Sequence, residues 1–108
     1  MALDWMLEPP RRFRRASSTD GTDVRLMFWC PGCDMPHGPR IAGPGAWTFN
    51  GDWECPTLSP SILVHVDGRD GTSKCHSFLE AGRIRFLDDC WHALKGQTVD
   101  VPVWPARW

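Results

Sequence analysis

The sequence predicts a mainly β protein, a small single domain of short antiparallel strands and hairpins with at most one short helix. Three observations lead there. Ten glycines and ten prolines in 108 residues interrupt the chain too often for long helices and favour short strands joined by turns. Runs such as Val24 to Trp29 and Ile62 to Val66 are apolar, rich in β-branched or aromatic residues, and bounded by turn residues. Arg83 to Leu87 alternates charged and apolar side chains, the period of a strand with one face buried.

Composition narrows the class. Hydrophobic residues make up 42% of the chain and charged residues 23%, values of a folded globular domain rather than a disordered one. The formal net charge of −1 carries no global electrostatic footprint for nucleic acid or anionic lipid. The longest apolar stretches, such as Ile62 to Val66, fall far short of the ~20 residues of a spanning helix. The start, Met1-Ala2-Leu3-Asp4, has no apolar run leading to a cleavage site, so the expected compartment is the cytoplasm. There the five cysteines are metal ligands or reactive thiols rather than a disulfide framework, and their odd number weakens a disulfide reading further.

In chain order, residues 1–22 read as a flexible N-terminal arm and 23–108 as the folded domain. The arm carries Pro9-Pro10, the basic run Arg11-Arg12-Phe13-Arg14-Arg15 and a small polar stretch. Trp5 and Phe13 could dock it on the domain. Val24 to Trp29 is a strand that feeds directly into Cys30-Pro31-Gly32-Cys33. Ala46 to Phe49 is a short strand, followed by the hairpin-type turn Asn50-Gly51-Asp52 and the proline-constrained segment 55–61. Ile62 to Val66 is a buried strand, and residues 67–73 are a polar turn. Residues 75–79 and 83–87 form a hairpin around Glu80-Ala81-Gly82. Residues 88–96 could hold one helical turn stopped by Gly96, and Val99 to Trp104 is a last strand interrupted by Pro102.

The chemistry concentrates in cysteine and histidine. Cys-x-x-Cys in a tight turn lets two thiolates converge on one tetrahedral Zn²⁺, but supplies only half a site. The other half can come from Cys75-His76 or from Cys90-x-His92. In an extended segment Cys90 and His92 share a face, which favours Cys30, Cys33, Cys90 and His92. In a helical turn they do not, which favours Cys30, Cys33, Cys75 and Cys90. Either set leaves His37 and His76 near the ion or at its rim. Cys55 reads as a non-ligand thiol and His65 as an ordinary strand histidine.

A second cluster holds Asn50, Asp52, Thr57, Ser59 and Ser61 between prolines. Such residues ordinarily cap their own backbone in turns. Alternatively they wall a polar pocket beside the metal, with Asp52, Glu54 or a histidine as acid or base.

Taken together, Cys30-Pro31-Gly32-Cys33 with His37, Trp47-x-Phe49-Asn50-Gly51-Asp52, Pro56-Thr57-Leu58-Ser59-Pro60-Ser61, Cys75-His76-Ser77-Phe78 and Asp89-Cys90-Trp91-His92-Ala93-Leu94 resemble a little-characterised bacterial and phage family of zinc-binding proteins. Similar proteins are encoded in phage genomes and in bacterial operons for ubiquitin-like proteins with E1-like and E2-like enzymes. The resemblance implies a peptidase that processes or removes the ubiquitin-like modifier. It makes His37, His76, Asn50, Asp52, Thr57, Ser59 and Ser61 pocket candidates. Cys55 departs from the family pattern, where a basic residue is usual.

Two functional classes follow. The first is a zinc-dependent hydrolase, a peptidase or isopeptidase with a ubiquitin-like protein as substrate. The second is a non-catalytic zinc-stapled binding module, such as a phage accessory or anti-defence protein. Nucleic-acid binding through the arginine run is least favoured, because the rest of the chain has no basic stripe.

Overall fold

A computed structural model describes residues 5–7, 11–66, 73–106 and 108. All regular structure among them is strand, and every pairing is antiparallel. The first sheet holds β1 (Trp5–Leu7), β2 (Phe13–Ser18), β3 (Val24–Cys30), β4 (Met35–His37) and β5 (Arg40–Ala42), with β3 at its centre. One edge of β3 pairs with β2, and the other is shared by β4 and β5. A ribbon of β6 (Thr48–Phe49) and β7 (Leu58–Ser59) leads into the second sheet. That sheet has the order β11-β10-β9-β8, from β8 (Ile62–His65), β9 (Lys74–Glu80), β10 (Arg83–Phe86) and β11 (Thr98–Asp100).

Alternation decides which side chains meet. On β9, Cys75, Ser77 and Leu79 point inward while Lys74, His76 and Phe78 are half-buried; on β10, Ile84 and Phe86 are inward and both arginines outward. These inner residues join Leu26, Phe28 and Cys30 of β3, with Leu58, Ile62 and Val101, in one core. Burying each of its large apolar side chains contributes about 1.5–3 kcal/mol. The β9–β10 turn places Ala81 and Gly82 at φ 49° and 80°, the pair of positive angles that a tight two-residue hairpin requires.

Several expectations change. Residues 13–18, expected within a flexible arm, are strand β2, with Phe13 and Ala16 buried. The basic run is drawn into the fold. Arg12 Nη1 donates to the Val101 carbonyl at 2.6 Å, and Arg14 is buried, donates to the Trp108 carbonyl at 3.0 Å and lies over the Trp104 ring at 4.6 Å. Burial lowers the Arg14 pKa, and its contact with an indole face offsets part of that desolvation. Residues 88–96 form turns and bends without a helix. The anticipated polar turn at 67–73 lies, apart from Ser73, outside the described residues.

Candidate active site and metal centre

Ser61 immediately precedes β8, and its carbonyl accepts a hydrogen bond from Trp47 Nε1 at 3.2 Å. His76 lies on β9 opposite Leu63. Side chains two apart on a strand share a face, so Ser61 and Leu63 point to the side of the sheet that His76 occupies. There Ser61 Oγ meets His76 Nε2 at 2.9 Å. Behind the ring, His76 Nδ1 lies 3.1 and 3.2 Å from the two oxygens of Asp89.

Asp89 is carried by the segment after β10, which continues along the edge of β9 that β10 pairs with. Leu87 N donates to the His76 carbonyl at 2.9 Å and Trp91 N to the Lys74 carbonyl at 2.9 Å. The hydrogen bond from His76 holds the Asp89 carboxyl below its ordinary pKa, with Lys74 Nζ at 3.5 Å adding to the effect. An ionised Asp89 accepts from Nδ1–H, which leaves the Nε2 lone pair facing the serine hydroxyl. Serine, imidazole and carboxylate thus form one hydrogen-bonded line that reaches solvent, with the Asp89 side chain 45% exposed.

Beneath this line the thiols gather. Cys30, Cys33, His37 and Cys75 are all buried and bring their ligand atoms within 4.8 Å of one another; Cys75, Cys90 and His92 form a second group with the same property. Cys90 thus groups with His92 and Cys75, while the Cys-x-x-Cys turn lies with Cys75, as in one of the two expected sets, and with His37. The reason is register: β4 returns alongside β3 with His37 opposite Phe28, which aims the imidazole at the turn the two strands share.

The tautomers distinguish the two histidines. His37 Nδ1 lies 3.1 Å from the Pro36 carbonyl, an acceptor, so Nδ1 carries the proton. Its Nε2 is buried with no hydrogen-bond partner, a lone pair aimed into the thiol cluster. A buried polar atom left without a partner is costly unless something binds it. His92 is the opposite case. Its Nδ1 accepts the Leu94 N–H at 3.2 Å, so the neutral ring carries its proton on Nε2 and donates to Cys90 Sγ at 3.2 Å and Cys75 Sγ at 3.6 Å.

The sulfurs receive further donors: Cys33 N approaches Cys30 Sγ at 3.4 Å and Trp91 Nε1 approaches Cys33 Sγ at 3.3 Å. Cys30 and Cys75 sulfurs are 3.9 Å apart. Three thiols this close cannot all ionise without a cation. Hydrogen bonding to Cys33 pushes the Cys30 thiol up to about 12, hydrogen bonds to Cys30 and Cys33 raise Cys75, and Cys33, as the acceptor, is lowered. The Cys30, Cys33, His37 and Cys75 cluster could hold a metal ion, whose charge would remove this conflict.

Of the remaining pocket candidates, Asn50, Asp52 and Thr57 accept backbone hydrogen bonds at turns. Asn50 Oδ1 accepts from the backbone N–H of Asp52 and Thr57, Asp52 Oδ1 from those of Glu54 and Cys55, and Thr57 Oγ1 from Ala81 N–H. Ser59 is exposed in β7, opposite Thr48. Cys55 is exposed, and His65 ends β8 on its exposed face. Asp89 is the residue that sequence reasoning passed over. Its place beside Cys90 in the Asp89-Cys90-Trp91-His92 motif was the available signal.

Residues 6–87 match the model of a family described as "Bacterial ubiquitination-like system serine protease (BubE)". That span contains Ser61, His76 and the four clustered ligands, and ends two residues before Asp89. No curated protein and no solved structure matches the chain. Among the described residues, no helix is long and apolar enough to cross a membrane.

Proposed function

The chain belongs to the family of bacterial ubiquitination-like system serine proteases, and from that premise we propose that Ser61, His76 and Asp89 form the catalytic triad of a peptidase or isopeptidase. Its substrate is the tail of a bacterial ubiquitin-like protein, either in a precursor or joined to an acceptor. The observation that carries this reading is the unbroken line from Ser61 Oγ to His76 Nε2 at 2.9 Å and from His76 Nδ1 to Asp89 at 3.1 Å.

The steps follow from those contacts. Ser61 Oγ attacks the scissile carbonyl as His76 Nε2 takes the hydroxyl proton, giving a tetrahedral intermediate. The imidazolium, stabilised by Asp89, passes that proton to the departing amine nitrogen as the C–N bond breaks, which leaves the modifier tail esterified to Ser61. Water then adds to the ester. His76 takes its proton and returns it to Ser61 Oγ as the carboxylate product leaves.

Zinc in this reading is structural. Cys30, Cys33, His37 and Cys75 would fill all four positions of a tetrahedral ion, a closed set that supplies folding energy and offers no site for a reacting water. Support comes from the orphaned His37 Nε2 and from the N–H groups aimed at the sulfurs. The sequence expectation of a zinc-dependent reaction thus gives way to serine chemistry beside a zinc staple.

A fluorophosphonate probe tests the assignment. The wild-type protein is expected to be labelled at Ser61 and to cleave a modifier-tail fusion. Ser61→Ala abolishes both with an unchanged melting temperature, and Asp89→Asn lowers kcat by about 10²–10⁴-fold. Undiminished cleavage by folded Ser61→Ala would remove Ser61 from the reaction.

A further inference from the structure

The strand that begins at Ser61 has a free edge. β8 is the last strand of its sheet and pairs only with β9 among the described residues. Val66 N donates to the Ser73 carbonyl at 2.8 Å, which fixes the phase of the ladder. In an antiparallel pair, hydrogen-bonded and non-hydrogen-bonded positions alternate. Ile62 and Val64 therefore exchange bonds with Ser77 and Cys75, while Leu63 and His65 turn their N–H and C=O groups outward. Edges of this kind are usually blunted by proline, lysine or a bulge. None of these interrupts Ile62–His65, and Leu63 is 47% exposed.

This edge lines a groove of about 420 Å³ between Ile62, Leu63 and Val64 on one side and the Pro36–Arg40 turn on the other. Trp47 lines the groove and also holds the Ser61 carbonyl, so the groove runs up to the serine. Arg25 and Arg40 contribute to its wall, and both are ion-paired with Asp23.

Resting on the serine-protease reading, we infer that the substrate tail binds as an added antiparallel strand on the free edge of β8. β8 runs away from Ser61. An antiparallel partner runs toward Ser61, so the residues preceding the scissile bond lie along Leu63 and His65 and their last carbonyl arrives at Oγ. That is the acyl side, the part of a modifier that is the same whatever it is attached to. Recognition by backbone pairing requires an extended, flexible tail and excludes folded segments.

The experiment uses fluorogenic peptide amides of varied sequence with a coumarin leaving group, read as kcat/KM, with fluorophosphonate labelling measured in parallel. N-methylation of successive backbone nitrogens in the best peptide should lower kcat/KM about tenfold or more at alternate positions only, the pattern of a strand that loses one pairing hydrogen bond at a time. These substrate changes leave the protein unaltered, so misfolding cannot produce them. Equal tolerance of N-methylation at every upstream position, with labelling at Ser61 intact, would overturn the strand-addition inference alone. Absence of labelling and of all cleavage would instead overturn the catalytic reading on which it rests.

Discussion

At the scale of single residues, one hydrogen bond separates His37, the proposed metal ligand, from His92, proposed to support the cluster without ligating. His37 and His92 both face the buried sulfurs, yet a carbonyl at Nδ1 frees the Nε2 lone pair of His37, while an N–H at Nδ1 puts the proton on Nε2 of His92. Donation from His92 to the Cys75 sulfur would stabilise a thiolate without ligating the ion. His37→Ala is therefore expected to lose stoichiometric zinc. His92→Ala keeps it with an affinity lower by about 10–100-fold, measured by elemental analysis and competition with a chromophoric chelator. The reverse order would exchange their roles. Gly32 belongs to the same argument, because a Cβ there would overlap the His92 ring.

At the scale of elements, β9 serves two sites from its two faces. Cys75 points into the core while His76 points out toward Ser61 and Asp89, as the strand period requires. The hairpin that sets the β9 register has one imperfection, Ala81 at φ 49° in an exposed turn. A Cβ in the left-handed region costs about 1–2 kcal/mol. Ala81→Gly offsets that against greater freedom in the unfolded chain and is expected to raise stability by about 0.5–1 kcal/mol, checked by denaturant melts. A lower midpoint would show that the turn carries no such strain. The donation from Ala81 N–H to Thr57 Oγ1 involves only the backbone and survives the change.

At the scale of the whole molecule, the proposed triad and the thiol cluster are not separable modules. Two triad members are covalent neighbours of buried cysteines, His76 beside Cys75 and Asp89 beside Cys90. With zinc bound as proposed, its loss would leave three thiols in conflict beneath the residues that aim the imidazole. Chelation is expected to abolish fluorophosphonate labelling and to lower the melting temperature over the same range of chelator concentration, with both restored by zinc. Labelling that persists at its full rate in metal-free protein would show that β9 holds its register without the ion.

The sequence by itself determined what short stretches of chain encode. The alternation of residues 83–87, the Glu80-Ala81-Gly82 turn, the strand leading into Cys30-Pro31-Gly32-Cys33 and the capping chemistry of Asn50 and Asp52 all depend on neighbours a few residues apart, where strand period and turn stereochemistry act. Only the tertiary structure decided which side chains meet. Ser61 and His76 are 15 residues apart, His76 and Asp89 13, and Cys30 and Cys75 45. Their convergence depends on the register of β8 against β9 and the packing of one sheet on the other. The basic run at 11–15 shows the same limit. Its charges suggest a solvated arm, but Phe13 is buried in the core on one face of β2 and Ala16 on the other, the face of Arg14, which lies over the Trp104 ring, and both faces draw it into the sheet, because apolar burial across the fold outweighs a local preference for water.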